Sequence, residues 1–191
     1  VNDFLATRLP PLAPDAGWLS EETEDNTARL EAAALWVVDP IDGTRAYIDG
    51  RPDWSVSVAL VHNGRPAIGG IYVPVTDELF LAAAGGGATM NGARIKADPA
   101  DTLNGARLAG PQGHLRKLIE INPRLLPQPK IHSLALRLAR VAQGDIDAAM
   151  ASRNSRDWDL AAADLLVHEA GGVMTDLDGR APVYNRPNPV H

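Results

Sequence analysis

Cysteine is absent from the 191 residues, so the chain holds neither a disulfide nor a thiolate metal site. No apolar run approaches the length of a membrane span, and no membrane partner is expected. An excess of cations is also missing. Lys and Arg number 18 against 24 Asp and Glu, for a formal charge of −6. The basic field of a nucleic-acid binder is not there, so no nucleic-acid partner is expected. No signal-peptide pattern follows Val1, and with no cysteine the expected location is the cytoplasm. What remains is ordinary for a globular protein: 45% hydrophobic and 22% charged residues. That length supports one domain with a real core, or two closely packed subdomains. An acidic chain can still act on an anion where metal ions invert the local charge, which makes the positions of the carboxylates informative.

The pattern along the chain mixes strands and helices. Val1–Leu9 reads as the last turns of a helix begun upstream and ended by Pro10, Pro11 and Pro14. Glu21–Glu31 is acidic and polar. Leu35–Val38 is a short apolar run, bounded by Pro40, that reads as a buried strand. Ser55, Val56, Ser57 and Val58 alternate as a half-buried strand does. Asn63-Gly64 then signals a hairpin returning through Ala67–Val73. Glu78–Ala83, a turn at Asn91-Gly92 and Ala93–Lys96 extend an antiparallel meander. Farther on, Arg107–Ala109, Ile146–Met150 and Val173–Thr175 read as strands. His114–Ile121, Ser133–Gln143 with Ser133 as cap, and Trp158–Ala170 ending at Gly171-Gly172 read as helices. In the last of these, Leu160, Ala163, Val167 and Ala170 share one face. The expected architecture is layered α+β in a single domain, 1–191, with a meander half over 1–100 and a second half over 101–191.

Three groups of residues carry chemistry. The first is Asp39-Pro40-Ile41-Asp42-Gly43-Thr44, directly after the predicted strand. Two carboxylates across a proline-restricted turn can meet at one point, and Gly43 lets backbone approach a ligand. Amides near Gly43 and Thr44, at the start of a helical stretch, would face an anion. Carboxylates for Mg²⁺ beside amides for phosphate is the layout that metal-assisted phosphate hydrolysis requires. Taken alone, the same spacing equally suits a capped loop. The second group is Glu21-Glu22, and the third is Asp157-Trp158-Asp159, opening a helix that closes on Glu169-Ala170-Gly171-Gly172. An acid at a helix start is commonly a cap.

Together these groups resemble the inositol monophosphatase family of Mg²⁺-dependent, lithium-sensitive phosphatases. Its first signature, W-x-[VI]-D-P-[IL]-D-G-T, matches Trp36 through Thr44. Its second, W-D-x-A-A followed by E-A-G-G, matches Trp158–Ala162 and Glu169–Gly172, and its G-E-E segment matches Ser20-Glu21-Glu22. The resemblance covers nearly the whole chain. It implies a layered α/β sandwich of the inositol monophosphatase and fructose-1,6-bisphosphatase type. It implies that Glu21, Asp39 and the Ile41 carbonyl hold one Mg²⁺, and that Asp39, Asp42 and Asp159 hold a second, in a site of two or three ions. It further implies that Asp42, Gly43 and Thr44 bind phosphate, that Glu21, Asp39, Asp42, Thr44 and Asp159 serve catalysis, and that metal-activated water hydrolyses a small phosphorylated metabolite. A homodimer is the family's expected state.

Two features depart from the family pattern. An upstream Thr/Asp pair that activates water, and a last strand and helix, belong to the pattern outside Val1–His191. The substrate side differs as well. Inositol-hydrolysing members read G-T-x-N-F, whereas this chain has Gly43-Thr44-Arg45-Ala46-Tyr47, and Ala151–Arg156 contains no acid. Arg45, Arg153 and Arg156 look more like the 3′(2′),5′-bisphosphate nucleotidase or histidinol-phosphatase branches, where an arginine pairs with a second phosphate. Solvated surface arginines are the plain alternative. At the level of function, the alternative is a catalytically silent binding module that keeps the fold.

Overall fold

The two Asn-Gly pairs that mark hairpins adopt the left-handed backbone such turns need, with φ of 49° and 74° at Asn63 and Gly64 and 48° and 81° at Asn91 and Gly92. The computed structural model describes residues 1–98 and 100–191, so Pro99, at the expected boundary of the two halves, lies outside the described residues. Strands β1 (Gly17–Ser20), β2 (Ala34–Asp42), β3 (Ser55–His62), β4 (Arg65–Val73), β5 (Glu78–Ala83), β6 (Gly87–Met90) and β7 (Ala93–Arg94) form one seven-stranded sheet in sequence order. β1 runs parallel to β2, and the rest is the antiparallel meander read from the sequence. β8 (Arg107–Ala109), β9 (Leu126–Pro127) and β10 (Ala148–Ala149) form a second, parallel sheet in the order β10-β8-β9.

Among the described residues five α-helices accompany the sheets: α1 (Asn2–Arg8), α2 (Thr44–Ile48), α3 (Gln112–Ile121), α4 (Leu134–Gln143) and α5 (Asp157–Glu169). α4 and α5 lie against each other and against the large sheet, and α4 also touches β10 of the small one. Sheet, helix pair and small sheet are therefore stacked layers, the α+β arrangement expected. Leu35, Val37, Val61, Ile71 and Phe80 from the strands meet Leu136, Leu160 and Leu166 from the helices in one buried cluster. α3 closes a smaller cluster of Ala106, Leu108, Leu115 and Leu125.

Several elements differ from the sequence reading. β2 does not stop before Pro40 but runs on to Asp42. The strand expected over Ile146–Met150 is only Ala148–Ala149. Val173–Thr175 is not a strand: it pairs with no described strand, and Val173 is exposed. β-branched residues favour a pleated surface, but a strand exists only where an edge accepts it. α5 is buried on nearly every side rather than on one face, including Ala161, Ala162 and Leu165. It is a central helix sandwiched between layers.

The small residues of α5 set its distance from the sheet. A Cβ placed on Gly69 of β4 would stand 2.9 Å from the Ala162 carbonyl oxygen. Backbone on both sides leaves no flexible atom to yield. Gly69→Val is therefore expected to cost about 1–3 kcal/mol, read as a lower urea midpoint with an unchanged slope. An unchanged midpoint would show that helix and sheet are not in rigid contact.

Candidate active site

In an uninterrupted strand, residues three apart face opposite sides. Asp39 and Asp42 escape this rule through a bulge. Asp39 pairs with Ser57 and Asp42 with Ser55, so three steps along β2 match two along β3. The extra residue rephases the strand and lets both side chains turn to one point. Asp39 is 1% exposed and Asp42 6%. The Ile41 amide donates to Asp39 Oδ1 at 2.9 Å, and the Thr44 hydroxyl donates to the Ile41 carbonyl at 3.1 Å.

Asp159 arrives from the first turn of α5, where its Oδ2 accepts the Arg156 amide at 2.6 Å. Ligand atoms of Asp39, Asp42 and Asp159 all lie within 4.8 Å of one another. Glu21 is held beside them because its amide donates to the Val38 carbonyl of β2 at 3.2 Å. Glu21 and Asp39 are close enough to share a hydrogen bond. The neighbouring Asp157 turns away from the cluster, to His191 at 2.8 Å and the Asn185 amide at 2.8 Å.

Gly43 has φ of 87°, and a Cβ there would meet the Ser133 amide nitrogen at 2.9 Å. Only glycine fits this position. The amides of Ala46 and Tyr47 donate to the Gly43 carbonyl. The amides of Gly43, Thr44 and Arg45 precede any helical acceptor and form the open start of α2.

Asp42 plays a part that its own neighbourhood in the sequence does not announce. Its Oδ2 accepts the Ser133 hydroxyl at 2.6 Å and the Ala135 amide at 2.6 Å, so it stands over the N-terminus of α4. Ser133 also caps α4, accepting the Leu136 amide at 2.8 Å. With its proton given to Asp42, Ser133 receives one from Ser55, 2.9 Å away. Arg137, one turn into α4, is 9% exposed, its Nε has no partner among the described residues, and its charge favours the ionised form of Asp42. Sequence reasoning found Ser133 as a cap but not as an Asp42 partner, and it found neither Ser55 nor Arg137.

Of the expected substrate arginines, Arg156 reaches the cluster: its guanidinium sits 5.3 Å over the Trp158 ring, and its charge lowers the pKa of Glu21 and Asp159. Arg45 is exposed on α2. Arg153 lines a separate cavity of about 490 Å³ with His114, Lys117 and His191.

Packed carboxylates resist ionisation. Burial, followed by the charges of Asp42, Glu21 and Asp159, pushes Asp39 up to about 9. Burial raises Asp159 to about 7 against the Arg156 amide bond, with Asp42 and Glu21 adding to the rise. Burial also raises Asp42, opposed by Ser133 and the α4 amides, and raises Glu21, opposed by its hydrogen bond to Asp39. Such a cluster holds protons or holds cations. Its donors are all hard oxygens, which suit Mg²⁺ over softer metals.

Comparison with known proteins gives a consistent result. The model of the inositol monophosphatase family matches residues 1–191. An inositol-1-monophosphatase from Rhizobium meliloti is 35% identical over 185 residues, covering 92% of this chain and 69% of that protein. The Nus factor SuhB of Xylella fastidiosa is 38% identical over 175 residues, covering 87% of this chain and 62% of that protein. Among solved structures, the extragenic suppressor protein suhB from Bartonella henselae superposes with a TM-score of 0.83 at 34% identity, covering 94% of this chain and 75% of that one.

The pKa shifts predict a pH dependence for the metal-free protein. Asp39 and Asp159 lie above the value of about 4 for an unfolded aspartate, so protonation favours the folded state. That stabilisation is complete below about pH 4 and is lost as pH rises through about 7 and then about 9. In EDTA, Tm is expected to fall from about pH 5 to about pH 9, and Mg²⁺, which binds the deprotonated carboxylates, to remove the fall. A metal-free Tm that rises over this range would contradict the assigned burial of charge.

Proposed function

The chain belongs to the inositol monophosphatase family, and on that premise we propose that it hydrolyses phosphate monoesters of small metabolites, with Mg²⁺, at the Asp39–Asp42–Asp159 cluster. The convergence of these three carboxylates within 4.8 Å, two buried and Asp159 half-buried, beside an open amide loop, carries the reading. Glu21, Asp39, Asp42, Asp159 and the Ile41 carbonyl are the proposed ligands for two or three ions. Mg²⁺ bound there supplies the Lewis acidity that a phosphate ester and a water nucleophile need.

The chain's own residues do the rest. Gly43 and Thr44 amides take the phosphate oxygens, with no side chain at Gly43 to block them. Ser133 and the α4 amide of Ala135 hold one Asp42 oxygen and leave the other for the ions. The Arg156 amide does the same for Asp159. Asp39 and Asp42 come from the first half of the chain and Asp159 from the second, so the proposed site needs both halves. In a small hard-oxygen site, Li⁺ replaces one ion and excess Ca²⁺ loosens the shell, and both are expected to inhibit.

The substrate belongs to the same proposal. The Arg156 charge, which acts on Glu21 and Asp159, supports a substrate with a second anionic group, a 3′(2′),5′-bisphosphate nucleotide beside an inositol phosphate. Arg153 and Arg45, exposed and with no tie to the cluster, are weaker candidates. Turnover of inositol 1-phosphate, 3′-phosphoadenosine 5′-phosphate and histidinol phosphate, compared side by side, decides among them. The absence of a nucleic-acid partner rests on net charge alone, and a homodimer on family likeness. A silent binding module is disfavoured because every carboxylate of the cluster is retained despite its cost to folding.

Asp42→Asn keeps an oxygen able to accept from Ser133 and Ala135, so Tm should stay within a few degrees. Losing one charge from the proposed ligand set would remove several kcal/mol of transition-state stabilisation, so kcat should fall on the order of a hundredfold or more. Wild-type turnover in this variant, or full wild-type activity in EDTA, would refute the proposal.

A further inference from the structure

Beside the amide loop lies a second polar pair that the proposed chemistry does not use. His132 immediately precedes Ser133, the residue that binds Asp42. Its ring Nδ1 lies 2.6 Å from Asp53 Oδ2, and its own backbone amide donates to the same oxygen at 2.8 Å. The Ser133 amide donates to the Asp53 carbonyl at 3.1 Å. The side chains of His132 and Asp53 are only 12% and 16% exposed. Loop and pair are in contact: the position of a Cβ on Gly43 lies 2.9 Å from Ser133 N and 3.3 Å from the Asp53 carbonyl oxygen.

The hydrogen bonds fix the chemistry of the ring. Burial would raise Asp53, but the two hydrogen bonds from His132 bring the carboxyl below its ordinary range. An ionised carboxylate only accepts, so Nδ1 must carry the proton. In the neutral imidazole that makes Nε2 an acceptor. Among the described residues Nε2 has no hydrogen-bond partner. A held, mostly buried ring with one unmatched acceptor beside a phosphate loop is complementary to a hydroxyl group.

We propose that His132, oriented by Asp53, is a specificity-determining residue that accepts a hydrogen bond from a substrate hydroxyl next to the phosphate ester, as on a sugar or cyclitol ring. This rests on the phosphate-binding reading of the Gly43–Thr44 loop. His132 contacts the part of the substrate that does not react, and Asp53 is a positioning residue.

Binding separates the two readings. Calorimetric titration in Ca²⁺ would compare adenosine 2′-phosphate, its 3′-deoxy analogue and orthophosphate. The wild-type protein is expected to bind the hydroxyl-bearing nucleotide roughly tenfold more tightly than the deoxy analogue, as a site built around a hydroxyl rejects its absence. His132→Ala should bind the two nucleotides equally while its orthophosphate affinity stays within about twofold. Asp53→Asn, which releases the ring tautomer, should lose part of the discrimination at unchanged orthophosphate affinity. Discrimination that survives in His132→Ala, or is absent in the wild type, overturns the inference and leaves the phosphatase reading standing. Failure of orthophosphate to bind the wild type overturns both.

Discussion

Like charges brought together out of water are the constraint around which this fold is arranged. Two ionised carboxylates 4.8 Å apart repel by about 3 kcal/mol at an effective dielectric near 20, and Asp39, Asp42 and Asp159 form three such pairs. Two helix N-termini are brought to bear on them. Asp42 accepts an amide of the first turn of α4, and Asp159 sits in the first turn of α5. A helix N-terminus contributes only about 0.3–1 kcal/mol to a nearby anion, so the helices orient the carboxylates without neutralising them. The remainder must come from protons or from bound cations.

That imbalance links stability to function. A cluster that costs the metal-free protein stability is one that gains most from binding a divalent ion, because affinity and destabilisation share one origin. The surrounding backbone is closely fitted. The bulge in β2 fixes the phase of Asp39 against Asp42, the left-handed Gly43 admits the Ser133 backbone, and the small residues of α5 press it onto β4 at Gly69. These features hold the carboxylate cluster in one arrangement, the preorganisation that the proposed metal site would require.

Much of this was legible in the sequence wherever the signal is local. The Asn-Gly turns, the Ser133 cap and the two acidic motifs each depend on residues within a few positions. Their places in the structure match the reading. What could not be read depends on distant partners. Asp42 looked like a cap for its own loop, yet it serves a helix whose first residues lie more than ninety positions on. Asp53 and His132 are 79 residues apart, and neither belongs to a motif. The bulge is invisible because it is a property of the register between β2 and β3, not of either strand. Val173–Thr175 has strand composition but meets no edge among the described residues, and α5 has one apolar stripe by pattern yet is buried on nearly every side.

The central claim is that these carboxylates form a divalent-cation site, and anomalous diffraction addresses it without reference to turnover. Crystals of the protein soaked in Mn²⁺, which shares the hard-oxygen preference of Mg²⁺, should show anomalous peaks between Asp39, Asp42, Asp159 and Glu21, about 2.0–2.3 Å from carboxylate oxygens. Peaks elsewhere on the surface, with none at the cluster, would contradict the account.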